Sequence, residues 1–253
     1  MIFPYGMIIA FEGLDCSFKE TNHKEFVRRL KESDPDKSNI IITESFPRYG
    51  TDCCAPIEKW LNGSLSRNAC YENPGAINNM YCIDRFNYWN ESIFEIMDNG
   101  YTRKDIYNST NCVFVFDRYN VCNPLYNPSI KDRELTVTDF VTEKDVYGNP
   151  QPDIVVWLRM REFDVIKDLL SKKENKDVNE LDLGYLFNVW SRSEFCLKNN
   201  ILRMAYKELL VIDLIDVHGE LKSKEKIADE IWKKVNNSIE KLSSEKYSAW
   251  NGK

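Results

Sequence analysis

Five short apolar runs constrain the fold of this chain more than any other feature of its sequence. None of them alternates apolar with polar residues, which is typical of parallel strands that helices cover on both faces. The runs are Met7–Glu12, Ile40–Thr43, Cys112–Asp117, Asp153–Leu158 and Leu209–Asp213. The helical patterns among them are Lys19–Glu32, Ala55–Asn62, Pro74–Asn99, Arg161–Lys173, Leu183–Glu208 and Lys224–Leu242. This alternation predicts an α/β protein with a doubly wound, five-stranded parallel sheet flanked by helices.

The organisation of the chain indicates one domain over residues 1–253, because no linker rich in proline, glycine or serine divides it and no repeat is visible. The segment Lys172–Asp182 is the most densely charged part of the sequence, and we expect it to be a mobile surface lid. The tail Ser243–Lys253 is expected to fray, as chain ends often do.

Composition excludes several classes of function. The hydrophobic content of 43% and charged content of 29% fit a globular protein, and no apolar run approaches the ~20 residues of a membrane span. The net charge of −6 argues against a nucleic acid polymer as partner. The N-terminus lacks the features of a secretion signal, and the eight cysteines form no C-x-x-C pair. We therefore expect reduced thiols and a cytoplasmic location.

The loop after the first apolar run follows the outline of a phosphate-binding loop, G-x-x-x-x-G-K-[ST]. Backbone N–H groups of such a loop and of the next helix surround a phosphate, and Lys19 adds a positive charge. The alternative is a surface turn with an exposed lysine. The candidate phosphate-binding residues are Gly13, Ser17, Phe18, Lys19, Glu20 and Thr21.

Two residues depart from that outline. Phe18 replaces the second glycine, where backbone must approach phosphate closely and take up φ > 0, so its ring is expected to crowd the phosphate or open the loop. Glu20 replaces the hydroxyl residue that ligates Mg²⁺. A carboxylate is a competent magnesium ligand, but it adds negative charge beside the phosphates.

Charged residues also follow the other apolar runs, and ligands of open α/β sheets bind beyond the carboxyl ends of strands. Arg48 lies in a bend after the second run, and its planar guanidinium suits a phosphate. The alternative is a solvated cation on a loop. Asp117, which ends the third run, is a candidate ligand of Mg²⁺, and Arg118 is a candidate for binding the transferred phosphoryl group. The alternative is that the two residues form an exposed ion pair. Arg159 and Arg161 follow the fourth run, where we favour pairing with neighbouring acids over entry into the site.

Tyr81 and Arg85 are four residues apart on the longest predicted helix and so share a face. An aromatic ring and a guanidinium placed in this way can stack on a nucleobase and bind its edge. Core packing beside a snorkelling arginine is the alternative.

In chain order these residues belong to the motifs G-L-D-C-S-F-K, F-P-R-Y-G, N-P-G-A-x-x-x-M-Y-x-x-D-R-F, D-R-Y-x-x-C-N and P-D-I-V-V-W-L. The series resembles the thymidylate kinases, a branch of the P-loop nucleoside monophosphate kinases, over about residues 7–158. The resemblance implies a P-loop NTPase-like fold and phosphoryl transfer from ATP to dTMP with Mg²⁺. It also implies a homodimer that pairs through the Ala55–Asn62 and Pro74–Asn99 helices.

The resemblance assigns roles by position. Asp15 falls near the sugar 3′-hydroxyl, and Tyr81 and Arg85 fall where the base is stacked and its edge is read. The implied catalytic residues are Asp15, Lys19, Arg48 and Arg118. The implied substrate-binding residues are Asp15, Phe46, Arg48, Tyr81, Arg85, Arg118 and Tyr119, with Asp117 and Glu20 for the metal.

Two alternatives to thymidylate kinase activity remain open at this point. The changes at Phe18 and Glu20 lie on the donor side, so the chain could be an impaired, nucleotide-binding relative. The lid offers Lys172, Lys173 and Lys176 instead of the arginine that clamps the donor in that family. A deoxynucleoside kinase shares the fold, but such enzymes usually have Glu-Arg-Ser where this chain has Asp117-Arg118-Tyr119.

Overall fold

The five apolar runs of the sequence form one parallel sheet. The computed structural model describes residues 6–36, 39–66, 74–97, 112–127 and 134–251. The strands are β1 (Met7–Gly13), β2 (Ile40–Ser45), β3 (Cys112–Asp117), β4 (Ile154–Arg159) and β5 (Glu208–Asp213). They are all parallel, in the order β2-β3-β1-β4-β5. The predicted fold class is thus confirmed.

This order creates a switch point between two neighbouring strands. β1 leads along the chain to β2 on one side of the sheet, whereas β3 leads to β4 on the other side. The connections therefore diverge beyond the carboxyl ends of β1 and β3 and leave a crevice where ligands of such sheets bind.

The continuous apolar character of the central strands reflects two cores, one on each face of the sheet. In β1, Ile9 and Phe11 pack into a core with α1 and the C-terminal helices, whereas Ile8 and Ala10 contact an aromatic core on the other face. The edge strand β2 departs from the prediction of full burial. Its Ile40 is 53% exposed, because this strand has a neighbour on one side only.

Nine helices are present among the described residues. They are α1 (Lys19–Glu32), α2 (Ala55–Leu61), α3 (Pro74–Met97), α4 (Cys122–Tyr126), α5 (Val137–Tyr147), α6 (Phe163–Ser171), α7 (Leu183–Lys198), α8 (Ile201–Ala205) and α9 (Lys224–Asn251). Within the described ranges, no helix is both long enough and apolar enough to cross a membrane.

The predicted helices differ from the observed ones in four places. The sequence did not predict α4 or α5, the second of which begins with a capping box between Thr136 and Asp139. The predicted helix Leu183–Glu208 is broken at Asn200, which has a left-handed backbone (φ 58°), and β5 follows α8. The tail expected to fray continues α9 to Asn251, since the sequence from Lys224 to Asn251 contains no glycine or proline. Asn99 and residues 252–253 lie outside the described residues.

Candidate functional site

The loop between β1 and α1 has the backbone of a phosphate-binding loop. Gly13 has φ 153°, and a Cβ there would lie 2.6 Å from both the Leu158 carbonyl oxygen and Ser17 Oγ. Phe18, the residue before α1, is left-handed at φ 56°. The predicted need for a glycine-like conformation at this position is therefore real, and a phenylalanine adopts it. Its ring is exposed at the surface of the loop.

Lys19 is buried within this loop. Its Nζ donates to the Leu14 carbonyl oxygen at 2.5 Å and lies 3.3 Å from Ser17 Oγ. Burial and the nearby charge of Arg118 lower the pKa of the Lys19 ammonium to about 8. The lysine thus lies beside the loop backbone that surrounds a phosphate in such folds, and remains mostly charged at neutral pH.

Asp15 connects this loop to the end of β3. Arg118 Nη2 donates to Asp15 Oδ1 at 2.8 Å, and the Tyr126 hydroxyl donates to Asp15 Oδ2 at 3.0 Å. Burial alone would raise the pKa of the Asp15 carboxyl, but the charges of Arg118 and Lys19 and these hydrogen bonds outweigh it and lower the pKa to about 2. The carboxylate is therefore charged at neutral pH and holds Arg118 against the phosphate loop.

Glu12 connects the end of β1 to the loop that follows β3. It is fully buried at the end of β1, and its Oε1 accepts hydrogen bonds from the backbone N–H groups of Tyr119 and Val121, both at 2.9 Å. Burial raises the pKa of this carboxyl. Arg118 itself is left-handed (φ 63°) and its N–H donates to the Phe11 carbonyl oxygen at 2.9 Å. These bonds fix the direction in which Arg118 leaves β3.

A pocket that is partly open to solvent lies at the crevice beyond β1 and β3. All of the predicted substrate-binding residues line it except Arg48. Those residues are Asp15, Phe46, Tyr81, Arg85, Arg118 and Tyr119. The walls of the pocket are largely aromatic and a few polar groups converge on it, which is the usual character of a small-molecule site.

The aromatic walls of the pocket are held rigidly. Phe46 packs edge-to-face on Tyr88 and Phe116, and a cis peptide bond joins it to Pro47. The Tyr119 ring stacks on Phe116 at 5.1 Å, and its hydroxyl donates to the Pro150 carbonyl oxygen. Tyr81 packs against the small cluster around Trp60 and Ile77.

Arg48 lies outside the lining of the pocket. Its Nε donates to Asp84 Oδ1 at 3.0 Å and its Nη1 to Glu91 Oε2 at 3.0 Å, so the guanidinium faces helix α3. The backbone N–H of Arg48 also donates to Asp84. In this arrangement Arg48 positions the bend that carries Phe46, rather than pointing at a ligand.

Arg85 lines the pocket from helix α3 and forms a buried pair with Glu143 of α5. Its Nε and Nη2 donate to the two oxygens of the Glu143 carboxylate at 2.6 and 2.8 Å. Burial acts to lower the pKa of Arg85, but the Glu143 carboxylate outweighs it and raises the pKa. The sequence did not predict Glu143, because its helix was not recognised.

The two candidate metal ligands differ in fit. Asp117 is buried at the end of β3, and its Oδ1 has no hydrogen-bond partner among the described residues, which suits a hydrated Mg²⁺ ion. The Glu20 carboxylate is exposed and ion-paired with Lys24, and Thr21 is also exposed. Within the described ranges, no group of three or more acidic, histidine or cysteine side chains is gathered to hold a metal. Asp117 fits the predicted role, and Glu20 in this conformation does not.

The predicted lid Lys172–Asp182 contributes to the wall of the pocket. The Val178 N–H donates to the Leu61 carbonyl oxygen at 3.1 Å, and Asp177 and Asn179 line the pocket. Its lysines face carboxylates: Lys173 pairs with Glu180 at 2.6 Å, and Lys172 with Asp168 at 2.6 Å.

The two arginines after β4 bind neighbouring groups, as favoured from the sequence. Arg159 forms a two-point pair with Glu194, and Arg161 Nη2 donates to the carbonyl oxygens of Ile215 and Asp216. Both arginines also approach Asp213, at 3.5 and 3.7 Å. They hold the ends of β4 and β5 together.

Several residues that line the pocket were missed from the sequence. Asn78 could have been found, because it precedes Tyr81 by three residues and Arg85 by seven and so shares their helix face. Tyr126 and Asp177 carry no such local signal, since the fold brings them to the pocket from α4 and the lid.

The sheet order, the loop after β1 and the pocket at the switch point define a P-loop NTPase-like fold. The chain matches no protein-family model and no curated protein. Among solved structures it is similar to a thymidylate kinase from Candida albicans, with 14% identity, a TM-score of 0.59 and coverage of 93% of this chain and 94% of that chain. A thymidylate kinase from Ehrlichia chaffeensis has 14% identity and a TM-score of 0.57, over 92% of this chain and 100% of that chain. Within its class, this chain has the fold of the thymidylate kinases.

Proposed function

We propose that this protein transfers the γ-phosphoryl group of ATP to dTMP, giving ADP and dTDP. The observation that carries the proposal is the bond between Asp15 and Arg118, because it joins the phosphate loop directly to the pocket at the end of β3. A donor phosphate on the loop and an acceptor phosphate beside Arg118 would then be neighbours.

The acceptor nucleotide is assigned to the pocket. All four of the following residues line the pocket: Tyr81 and Phe46 would offer aromatic surface to the base, Arg85 would face its edge, and Asp15 would lie toward the sugar. Arg118 uses one of its N–H groups on Asp15, and its side chain is 34% exposed, so other N–H groups are free to bind the phosphate. Arg48 would first have to exchange Asp84 and Glu91 for a phosphate oxygen.

The donor is assigned to the phosphate loop. The loop amides and Lys19 would bind the phosphates of ATP, with Lys19 exchanging the Leu14 carbonyl oxygen for a phosphate oxygen. Asp117 would hold Mg²⁺ through its unpartnered oxygen, and the ion supplies neutralisation of phosphate charge.

In the chemical step an oxygen of the dTMP phosphate attacks the γ-phosphorus in line, and the bond from that phosphorus to the bridging oxygen of ADP breaks. In this arrangement Arg118 and Lys19 would lie beside the transferred group, and cations placed in this way stabilise the negative charge that spreads over it. Most of the catalysis is thus positioning and electrostatics.

A coupled assay of ADP release tests the function, with a panel of nucleoside monophosphates and thymidine as acceptors. We expect turnover with dTMP that falls by about 10²-fold or more in Arg118→Ala. Turnover by the natural protein no faster than that of Arg118→Ala would reject the kinase proposal.

One observation favours a second candidate, a nucleotide-binding protein without kinase activity. Glu20 and Thr21 both face solvent, so no described side chain replaces the missing hydroxyl ligand of Mg²⁺ at the start of α1. Calorimetry separates the candidates: tight binding of dTMP with no binding of Mg-ATP supports the second, and binding of both supports the kinase.

We also propose a cytoplasmic homodimer. Ile83 and Phe86, which are three residues apart on α3, are 43% and 40% exposed and form an apolar face suited to a second copy. The cysteines of the described part of the chain are free, which fits a reducing compartment.

A further inference from the structure

We propose that Glu143 is a positioning residue that fixes Arg85 in the orientation needed to bind a carbonyl oxygen on the edge of the base. This inference rests on the proposed function and deepens it, because it names the residue that holds the base-reading arginine in place. Neither Glu143 nor its helix α5 belongs to the motifs by which the sequence resembles the thymidylate kinases.

The two residues contribute to different cavities. Arg85 lines the pocket, whereas Glu143 lines a second, adjacent cavity that shares Asn78 and Asn123 with it. The carboxylate binds Nε and Nη2 side-on, at 2.6 and 2.8 Å. A guanidinium has five N–H donors, and this pair uses two of them on one edge of the fork; the remaining N–H groups are shared between the neighbouring Cys82 thiol and the pocket that Arg85 lines.

Glu143 is itself held in place. Asn149 Nδ2 donates to its Oε1 at 2.9 Å and also to the Cys82 carbonyl oxygen of α3 at 3.1 Å. The guanidinium of Arg85 lies 5.7 Å from the centre of the Tyr119 ring. Both members of the pair are almost fully buried, so few other rotamers are open to Arg85.

This arrangement makes the edge of the pocket a donor of hydrogen bonds. An arginine has no acceptor atom, so a base with a carbonyl oxygen at that edge is bound, and a base with an amino group there is rejected. The expected preference is for 4-oxo pyrimidines (dTMP and dUMP) over the 4-amino pyrimidine dCMP.

The test compares Glu143→Gln with Glu194→Gln. The control removes the carboxylate of a similar two-point pair, that of Arg159, which does not line the pocket. We expect Glu143→Gln to raise the KM for dTMP about tenfold with kcat changed less than about twofold, and to leave the KM for dCMP unchanged. Glu194→Gln should change neither.

A dTMP analogue without the 4-oxygen isolates the contact, and calorimetry measures its binding. Natural protein and Glu143→Gln should bind this analogue equally, since the oxygen that Arg85 contacts is absent. The proposal is overturned if Glu143→Gln weakens dTMP and the analogue by the same factor, or weakens neither. If the natural protein binds no nucleoside monophosphate, both this inference and the proposed function fail.

A second variant guards against misfolding, because the loss of one partner of a buried pair is strongly destabilising. Replacing both partners, as in Arg85→Met with Glu143→Leu, removes the charges together and is expected to fold. This double variant should bind dTMP and dCMP with similar affinity. Retention of the natural preference for dTMP would contradict the role of the pair.

Discussion

Phe18 holds its backbone in a conformation that a residue with a Cβ adopts at a cost. Its φ of 56° and the φ of 62° at Cys16 show that the loop keeps its turn without the expected second glycine. The expected crowding depends on the direction of the ring, which is exposed at the surface. The residue type alone indicated strain at this position, and the fold determines where the side chain goes.

Phe18→Gly is expected to raise the free energy of unfolding by about 1 kcal/mol, because it removes the left-handed strain of a bulky residue. Urea denaturation measures the change. Asn200→Gly is the matched control, since Asn200 is also left-handed (φ 58°) but asparagine tolerates that region, so its effect should be smaller. A loss of stability in Phe18→Gly would show that contacts of the ring outweigh the strain.

Asp15 makes a pH-dependent contribution to stability. Its pKa in the folded protein, about 2, is below the ordinary value of 3.8, so the stabilisation is complete above about pH 4 and disappears as the pH falls through 2. Asp15→Asn should therefore lower the free energy of unfolding by about 2 kcal/mol at pH 7, and by progressively less below pH 4.

Denaturation curves of Asp15→Asn and natural protein over that pH range provide the measurement. Glu20→Gln is the control, because it removes a loop carboxylate that is exposed and should leave the profile nearly unchanged. A constant difference between Asp15→Asn and the natural protein from pH 7 to 2 would contradict this account.

At the scale of elements, the central strands were predictable because their burial is local information: every residue of β1 and β3 is buried. Helix α5 could not be predicted in this way, because Phe140 and Glu143 are its only buried residues. The burial of Glu143 is decided by Arg85, which lies 58 residues away in the chain. The orientation of Arg48 likewise depends on Asp84, which is 36 residues away.

The lid offers a prediction at the same scale. Val178→Pro removes the N–H that donates to the Leu61 carbonyl oxygen, a direct backbone hydrogen bond between the lid and the end of α2. We expect the KM for dTMP to rise about fivefold, the equivalent of one net hydrogen bond of about 1 kcal/mol. Hydrogen exchange of residues 172–182 should become faster.

Lys172→Ala is the control for the lid, since it removes an exposed ion pair with Asp168 in the same segment. Its KM for dTMP should stay within about twofold of the natural value. If Val178→Pro and Lys172→Ala change the KM for dTMP equally, the hydrogen bond to Leu61 does not hold the lid in place.

At the scale of the whole molecule, the exposed apolar face of α3 predicts the oligomeric state. Light scattering should give the mass of two chains for the natural protein and of one chain for Ile83→Glu with Phe86→Glu, because two buried charges would disrupt an apolar interface. Leu183→Glu, at an exposed leucine of α7, should keep the natural mass. A single-chain mass for the natural protein would reject the dimer.

The bond from Asp15 to Arg118 has a thermodynamic consequence for the two proposed nucleotide sites, the phosphate loop and the pocket. A phosphate that binds Arg118 in place of Asp15 changes the electrostatic environment of Lys19. An anion that binds Lys19 in place of the loop carbonyl changes the environment of Arg118 in the same way. Linkage then requires symmetry: the factor by which one nucleotide alters the affinity for the other is the same in both directions.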